Sequence, residues 1–292
     1  MKLMVSIKTI KMNQGGFYDE KKIFGRSNER GNDAFRSNYL YSGNLTLLPD
    51  IQTDLVYGVN GNTNIYGDIW RWKEIKPTNT DIEAVYGALY DVINRCNFML
   101  DRADAVRKKT TDDKDLDKLD QCCGEAYFAR ALAYSELVKL FCKAYESDED
   151  AAGQLGVILS QHYLGDETMR RASLKDSYQF ILDDLDRAAE LLELEEDFNT
   201  DTQGTLYDSI YFNEYTVHAL RARVLLYMER WEEAIKYAIS HGEVGDVIVL
   251  AGKGHEDYQE IKGVKYPMDE RVLIAEVLEE LKEEKQEKDQ NK

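Results

Sequence analysis

Apolar residues recur at a helical spacing through the middle of this chain, from about residue 82 to residue 240. Five segments carry an apolar residue at every third or fourth position, as one buried face of an α-helix requires. After His241 the pattern changes to a continuous apolar run at 246–250, which is typical of a strand buried on both faces. The sequence therefore predicts a mostly helical protein that ends in a short strand, a loop and a last helix. The predicted helices span 82–104, 116–142, 174–194, 213–228, 231–240 and 270–288.

Small and aromatic residues on these helices indicate how they pack. The stripe of 116–142 contains Gly124, Ala126 and Ala133, which allow a neighbouring helix to approach closely. In 213–240, small and aromatic residues are spaced as in tetratricopeptide-type helical hairpins. Before residue 81 the chain is rich in tyrosine, asparagine and glycine. We therefore expect long N-terminal loops and short helical turns laid against the helical scaffold.

Local signals predict several element boundaries. Ser173 followed by Asp176 is an imperfect capping box, which predicts the start of the helix at 174. Asp269 is placed to cap the last helix. Between the second and third helices we expect an acidic loop and then an extended stretch over 156–160.

Composition excludes several classes of function. The formal net charge is −18, so the surface repels nucleic-acid phosphates, and nucleic acid is not an expected partner. No run of about 18 apolar residues is present, so the sequence predicts no transmembrane segment. The four cysteines lack C-x-x-C spacing and are expected to be buried helix thiols, so neither a metal nor another cofactor is expected.

Four segments of the helical region resemble, in order, the motifs of the SusD/RagB family of glycan-binding surface lipoproteins. Any one of them alone is an ordinary amphipathic helix, but four in family order are specific. The resemblance covers about 17–240. The matching segments are 86–97, 125–141, 171–192 and 219–234.

This resemblance implies a SusD-like, tetratricopeptide-containing helical fold at the bacterial cell outer membrane. It implies two partners, an oligosaccharide and the SusC-type TonB-dependent transporter that receives it. No bond is made or broken, so the chain is not expected to be an enzyme. Residues 1–14, by contrast, contain neither a signal-peptide core nor a lipid-anchor cysteine. This absence by itself predicts a cytoplasmic chain.

Tyr66, Trp70 and Trp72 are the candidate sugar-binding residues. The apolar C–H faces of pyranose rings stack on aromatic rings, and nearby Asn and Asp side chains can satisfy the hydroxyls. The alternative is that these aromatics pack the loops onto the helices. Asp183, Asp184 and Asp186 could include a catalytic pair, but a solvated acidic helix face is the preferred interpretation.

Residues 242–292 resemble the C-terminal end of Mur ligases, closest to the enzyme that adds the third residue to UDP-N-acetylmuramoyl-dipeptide. The densest match is 246–261. In that family the positions matching Gly252 and Glu256 contact the incoming diamino acid. The chain contains no G-x-x-x-x-G-K-[ST] loop to hold ATP phosphates, which predicts a fragment without ligase activity.

Two regions are therefore expected, a SusD-like glycan-binding region at 1–240 and a Mur-ligase-like fragment at 241–292. Binding of oligosaccharide for uptake is the leading functional hypothesis. A fragment of a peptidoglycan-precursor ligase is the first alternative. The second is a helical-repeat scaffold that binds a protein partner.

Overall fold

The computed structural model describes residues 6–11, 39–53, 57, 66–72, 75–165, 170–192, 212–242, 246–251, 258–261, 264–267 and 269–290. The chain forms two compact units. The large unit comprises Tyr18–Lys143 and Ala152–Glu214, and the small unit comprises Met1–Phe17, Ala144–Ala151 and Tyr215–Lys292. The predicted division near residue 241 separates two sequence resemblances and stays a prediction.

Helices dominate the described chain, as the apolar period predicts. In chain order they are α1 (Asn44–Ile51), α2 (Gly67–Trp70), α3 (Thr80–Arg107), α4 (Asp113–Phe141), α5 (Asp148–Gly153), α6 (Leu174–Leu192), α7 (Glu214–Tyr227), α8 (Trp231–Ser240) and α9 (Glu270–Gln290). The strands are β1 (Ser6–Lys11), β2 (Leu155–Ile158), β3 (Arg171–Ser173), β4 (Asp246–Ala251), β5 (Tyr258–Ile261) and β6 (Val264–Pro267). The acidic segment expected to be a loop contains α5, because three acidic residues in its first turn favour a helix N-terminus.

The core of the large unit lies where α4 packs against α3 and α6. Each helix turns its predicted apolar stripe inward, and the most deeply buried side chains include Leu89, Ile93, Leu137, Ile181 and Leu185. Leu140 departs from the prediction, because it lies exposed in the last turn of α4. Ser173 caps α6 as expected, with its hydroxyl accepting from the Asp176 backbone N–H at 3.0 Å.

Gly124 allows α4 and the end of α6 to approach closely. A Cβ at this position would lie 2.7 Å from Leu192 Cγ and 3.1 Å from Leu191 Cβ. Both distances are shorter than ordinary van der Waals contact, so a side chain here would push the two helices apart. The predicted close approach at this small residue is confirmed.

Three buried polar side chains join the same three helices. Arg130 on α4 donates to the Asp184 carboxylate on α6 through Nε at 2.8 Å and Nη2 at 2.7 Å. Its Nη1 donates to Asn97 Oδ1 on α3 at 2.7 Å. Asn97 Nδ2 in turn donates to the Ser160 carbonyl at 3.0 Å. This Asn97–Arg130–Asp184 network therefore fixes α3, α4, α6 and the turn after β2 in one arrangement.

Burial and charge act in opposite directions on the ion pair of this network. Burial lowers the pKa of the Arg130 guanidinium, but the hydrogen bonds and charge of Asp184 raise that pKa by more. Burial raises the pKa of the Asp184 carboxyl, and Arg130 opposes this rise. The expectation that Asp184 belongs to a solvated acidic face is wrong, because its helix turns it toward the buried Arg130.

The small unit contains the helical hairpin of α7 and α8. Glu229 has a φ of 57°. The Arg230 N–H donates to the Leu225 carbonyl at 3.1 Å, and the Glu229 N–H donates to the Leu226 carbonyl at 3.1 Å. This pattern is a Schellman motif, which ends α7 and starts the turn into α8. The predicted helix–turn–helix at 213–240 is confirmed.

Strand β4 pairs antiparallel with β1 over six residues, from Ser6 opposite Ala251 to Lys11 opposite Asp246. The sequence predicts a strand here, but its predicted burial on both faces is wrong, because Val247 and Val249 are exposed. The pairing forms a two-stranded sheet. Such a sheet offers little cover for a second apolar face, in contrast to a parallel sheet packed between helices. Strands β5 and β6 form a separate antiparallel hairpin.

Replacing Gly124 by alanine is expected to lower the free energy of unfolding by about 1–3 kcal/mol, because the added methyl group overlaps Leu192. Urea denaturation followed by circular dichroism measures the change. Gly87→Ala is the matched control, since a Cβ at this exposed position of α3 meets no atom within 4 Å. Alanine there should stabilise the protein by about 0.5–1 kcal/mol. Equal effects at the two glycines would contradict the close contact.

Arg130→Met is expected to cost about 3–5 kcal/mol of folding free energy, because it leaves the buried Asp184 carboxylate without its cation. The double variant Arg130→Met with Asp184→Leu should regain much of that loss, since both buried charges are then gone. Arg187→Met is the control, because its pair with Glu190 lies on the surface, where ion pairs contribute about 1 kcal/mol or less. A double variant that is less stable than Arg130→Met would contradict this account.

Candidate ligand-binding surface

The three predicted sugar-binding aromatics lie together around the short helix α2 of the large unit. Tyr66 precedes the helix, Trp70 is its last residue and Trp72 follows it. Tyr66 and Trp72 have positive φ values of 56° and 53°. A bulky residue rarely adopts this conformation, and such strain is found most often at turns and functional sites. The backbone conformations of Tyr66 and Trp72 therefore set the directions in which these two side chains project.

Tyr66 acts as an anchor through its hydroxyl group. The hydroxyl donates to Asn44 Oδ1 at 3.0 Å, and Asn44 Nδ2 donates to Asp81 Oδ1 at 3.4 Å. Asn44 is buried, whereas the Tyr66 ring is half-buried. Through Asn44, Tyr66 is therefore linked to α1 and to the first turn of α3. For this residue the packing alternative accounts for the hydroxyl.

Trp72 combines an anchored edge with an exposed ring. Its Nε1–H donates to the Gln52 carbonyl at 3.0 Å, and 66% of the residue is exposed. A hydrogen bond at the edge of an indole fixes the ring while its faces stay accessible to a ligand. Trp70 differs, because it is half-buried and the Arg71 guanidinium lies 4.6 Å from its ring centroid. The three aromatics are thus neighbours with different environments.

Sequence reasoning missed Gln52 and Arg71. The signal for Arg71 was its place between two tryptophans, where a guanidinium can cover one ring. Gln52 gave no signal, because it contributes only its backbone carbonyl. The predicted ligase-like positions Gly252 and Glu256 lie outside the described residues.

The cysteine thiols are not activated as nucleophiles. Burial raises the pKa of Cys96 to about 12 and that of Cys123 to about 11. Burial also raises the pKa of Cys122 and of Cys142. At neutral pH a thiol needs a lowered pKa to react as a thiolate. Within the described ranges, no group of three His, Cys, Asp or Glu side chains is arranged to hold a metal ion.

The residues of the Asn97–Arg130–Asp184 network come from three different sequence motifs. Asn97 ends the first motif, Arg130 lies in the second and Asp184 lies in the third. They are far apart along the chain, yet they meet in one buried cluster. These three motifs therefore have a common structural role, because each contributes one side chain to the packing of α3, α4 and α6.

A family model for SusD-like proteins, described as starch-binding and associating with the outer membrane, matches residues 37–211, which is more than half of the chain. The chain belongs to the SusD-like family. The matched range contains α1 to α6, the Asn97–Arg130–Asp184 network and all three candidate aromatics.

Solved structures agree with the SusD-like fold. A SusD superfamily protein from Bacteroides thetaiotaomicron is 19% identical, with a TM-score of 0.56 over 78% of this chain and 45% of that one. A structure from Bacteroides vulgatus, described as a putative sugar-binding protein, is 24% identical, with a TM-score of 0.54 over 71% of this chain and 42% of that one. The SusD-like chain thus spans less than half the length of these two structures, and the likeness shows the fold.

The ligase resemblance is local. The UDP-N-acetylmuramoyl-L-alanyl-D-glutamate–2,6-diaminopimelate ligase of Cytophaga hutchinsonii is 54% identical over 61 residues. These residues are 21% of the SusD-like chain and 12% of the ligase. The expected resemblance to the end of a Mur ligase is confirmed. None of the helices in the described ranges is both long enough and apolar enough to cross a membrane.

Replacing Tyr66 by phenylalanine is expected to lower the free energy of unfolding by about 0.5–1.5 kcal/mol, because the hydrogen bond to Asn44 is lost. Thermal or urea denaturation measures the difference. Tyr57→Phe is the matched control, since Tyr57 is 82% exposed and its hydroxyl is available to water. A Tyr66→Phe variant as stable as the Tyr57→Phe variant would show that this hydroxyl does not anchor α2.

Proposed function

We propose that this SusD-like chain binds oligosaccharide without changing it chemically, and that it takes part in carbohydrate uptake through a SusC-type TonB-dependent transporter of the outer membrane. The binding proposal rests on the exposure of the Trp72 indole, whose N–H group donates a hydrogen bond to the Gln52 carbonyl. The family description, starch-binding and associating with the outer membrane, supports both the ligand class and the location.

The surface around Trp72 suits a sugar ring. The carboxylate of Asp68 is exposed in α2, and Arg71 precedes Trp72 in the chain. As close chain neighbours of Trp72, they would offer a charged acceptor and a charged donor to the hydroxyl groups of a pyranose that covers the indole face. Because Trp72 is already held in place, little side-chain entropy is lost when the ligand binds. Tyr66 and Trp70 support this surface from half-buried positions.

The chemistry of the described residues supports binding over catalysis. A glycosidase uses two carboxyl groups on either side of the scissile bond. The buried carboxylate of Asp184 is instead held by Arg130 through both oxygens, in the core between helices. The cysteine thiols have raised pKa values, which disfavours nucleophilic attack.

The local identity to the ligase suggests a second candidate function, ligation of a diamino acid. By this resemblance, Gly252 and Glu256 match positions that contact the incoming diamino acid in the ligase family. Ligation also needs a phosphate-binding loop for ATP, and the sequence has no G-x-x-x-x-G-K-[ST] motif. We therefore propose that the ligase-like segment has no ligase activity in this chain. Release of phosphate from ATP that depends on diaminopimelate and UDP-N-acetylmuramoyl-dipeptide would refute this proposal.

Trp72→Ala is expected to weaken binding of maltoheptaose, a soluble gluco-oligosaccharide, by about ten-fold or more in isothermal titration calorimetry, because the stacking surface is removed. Trp72→Phe is the comparison variant, since it keeps an aromatic face but has a smaller ring and no N–H donor for the Gln52 carbonyl. We expect its affinity to lie between those of the parent and Trp72→Ala. A folded Trp72→Ala variant with the parental affinity would reject Trp72 as the site. A parent chain that binds neither maltoheptaose nor soluble starch would reject starch-type glucans as the ligand.

A further inference from the structure

A second aromatic cluster lies on α3, well beyond the first turn of this helix, which is linked to the surface around Trp72. The cluster includes the turn at 160–165, which side chains of α3 hold against the helix. Asp101 Oδ1 lies 2.9 Å from His162 Nδ1, and Asp101 Oδ2 accepts from the Tyr163 backbone N–H at 2.8 Å. Asn94 Oδ1 accepts from the Leu164 backbone N–H at 3.2 Å. The turn is therefore held by three side-chain contacts in addition to those of Asn97.

This anchoring brings two aromatic rings and a guanidinium together. Tyr163 and Phe98 meet edge to face, with ring centroids 4.9 Å apart and an interplanar angle of 82°. The guanidinium carbon of Arg102 lies 3.7 Å from the Phe98 centroid and 5.5 Å from the Tyr163 centroid. Arg102 Nη1 also donates to the Phe98 carbonyl at 2.8 Å. The cluster is thus held by the contact between the two rings and by the contacts of Arg102 with both of them.

The cluster is ordered but not buried. Phe98 is 45% exposed and Tyr163 is 36% exposed. Rings that only filled the core would be covered, and rings on a flexible loop would lose entropy when they bind a ligand. Here the backbone of the turn is fixed before any ligand arrives. An exposed and preorganised pair of rings is the arrangement that a weakly binding, non-ionic ligand requires.

Polar groups border the rings directly. His162 is exposed, and the Asp101 carboxylate and the Arg102 guanidinium lie within the same cluster. Partial burial raises the pKa of Asp101, but the Tyr163 N–H and His162 lower it by more, so the carboxylate stays charged at neutral pH. Aromatic faces beside fixed acceptors and donors match the alternating apolar and hydroxylated surfaces of a sugar.

Charge on the outer face of α3 argues against a protein partner at this place. Asp91, Arg95 and Asp104 are exposed within two turns of Phe98. Charged residues are depleted from the centres of protein–protein interfaces, whereas a sugar that stacks on one ring and touches the edge of the other does not need an extended apolar surface.

We propose that Phe98, Arg102 and Tyr163, together with His162 and Asp101, form a second carbohydrate-binding site. The proposal rests on the proposed function, since it assigns a further site for the same ligand class. Asp81, which is linked to Tyr66 through Asn44, lies seventeen residues before Phe98 on α3, a rise of about 26 Å along the helix axis at 1.5 Å per residue. A polysaccharide that reaches both sites would bind at two points, which increases the apparent affinity for the polymer.

Native electrophoresis in gels that contain soluble starch tests this proposal. The chain carries a net charge of −18, so it migrates readily, and exchanging uncharged side chains leaves its mobility in starch-free gels unchanged. Four proteins are compared: the parent, Tyr163→Leu, Trp72→Ala and the double variant. Tyr163→Leu keeps an apolar side chain against Phe98 and removes the ring. We expect each single substitution to weaken starch retardation by about three- to ten-fold, and the double variant to migrate as it does without starch.

Leu164→Ala is the matched control, because Leu164 is an apolar residue next to Tyr163 in the same turn and is 71% exposed. It should be retarded as strongly as the parent. Parental retardation of a folded Tyr163→Leu variant would overturn the second site and leave Trp72 untouched. A loss at Leu164→Ala equal to that at Tyr163→Leu would overturn ring stacking in favour of general apolar contact. Retardation that depends on Tyr163 but not on Trp72 would reject the first site and keep the second, and no retardation of the parent would reject both as sites for starch-type glucans.

Discussion

The buried ion pair of Arg130 and Asp184, completed by Asn97, is the interaction on which the large unit depends. A guanidinium removed from water costs several kcal/mol unless it is fully hydrogen-bonded. The helices therefore have to meet in the one arrangement that brings a carboxylate and an amide to it. Apolar side chains would allow α3, α4 and α6 to slide past each other, whereas three directed hydrogen bonds do not.

Close packing around this network uses residues without large side chains. Gly124 admits Leu192 at the α4–α6 contact. Gly156 lies against Ser173 and Ser177, where a Cβ would come within 2.4 Å of the Ser173 carbonyl oxygen. The network fixes the position of the helices, and these glycines determine how closely their backbones approach. Together they hold β2 against α4 and α6, and the following turn against α3.

Helix α3 connects the core to both proposed ligand surfaces. Its first turn meets Asn44 and through it Tyr66, next to the exposed Trp72. Further along, its buried face supplies Asn97 and its outer face supplies Phe98, Asp101 and Arg102. Because a helix is stiff, α3 keeps its two anchoring positions, Asp81 and Phe98, about 26 Å apart along its axis. A rigid spacing of this kind suits a protein that holds a polymer rather than one that closes around a small molecule.

The sequence by itself determined the longer helices of this protein, from α3 and α4 to α6, α7, α8 and α9. Apolar spacing, the Ser173 cap and the small residues of α4 are local signals, and a helix forms its backbone hydrogen bonds within one segment. Four ordered motifs also indicated the family. Only the tertiary structure decided that Asp184 is buried, that β1 pairs with β4, that Val247 and Val249 are exposed, and that Trp72 is accessible while Tyr66 is an anchor. Strand pairing and side-chain burial depend on partners distant in sequence, so no local pattern encodes them.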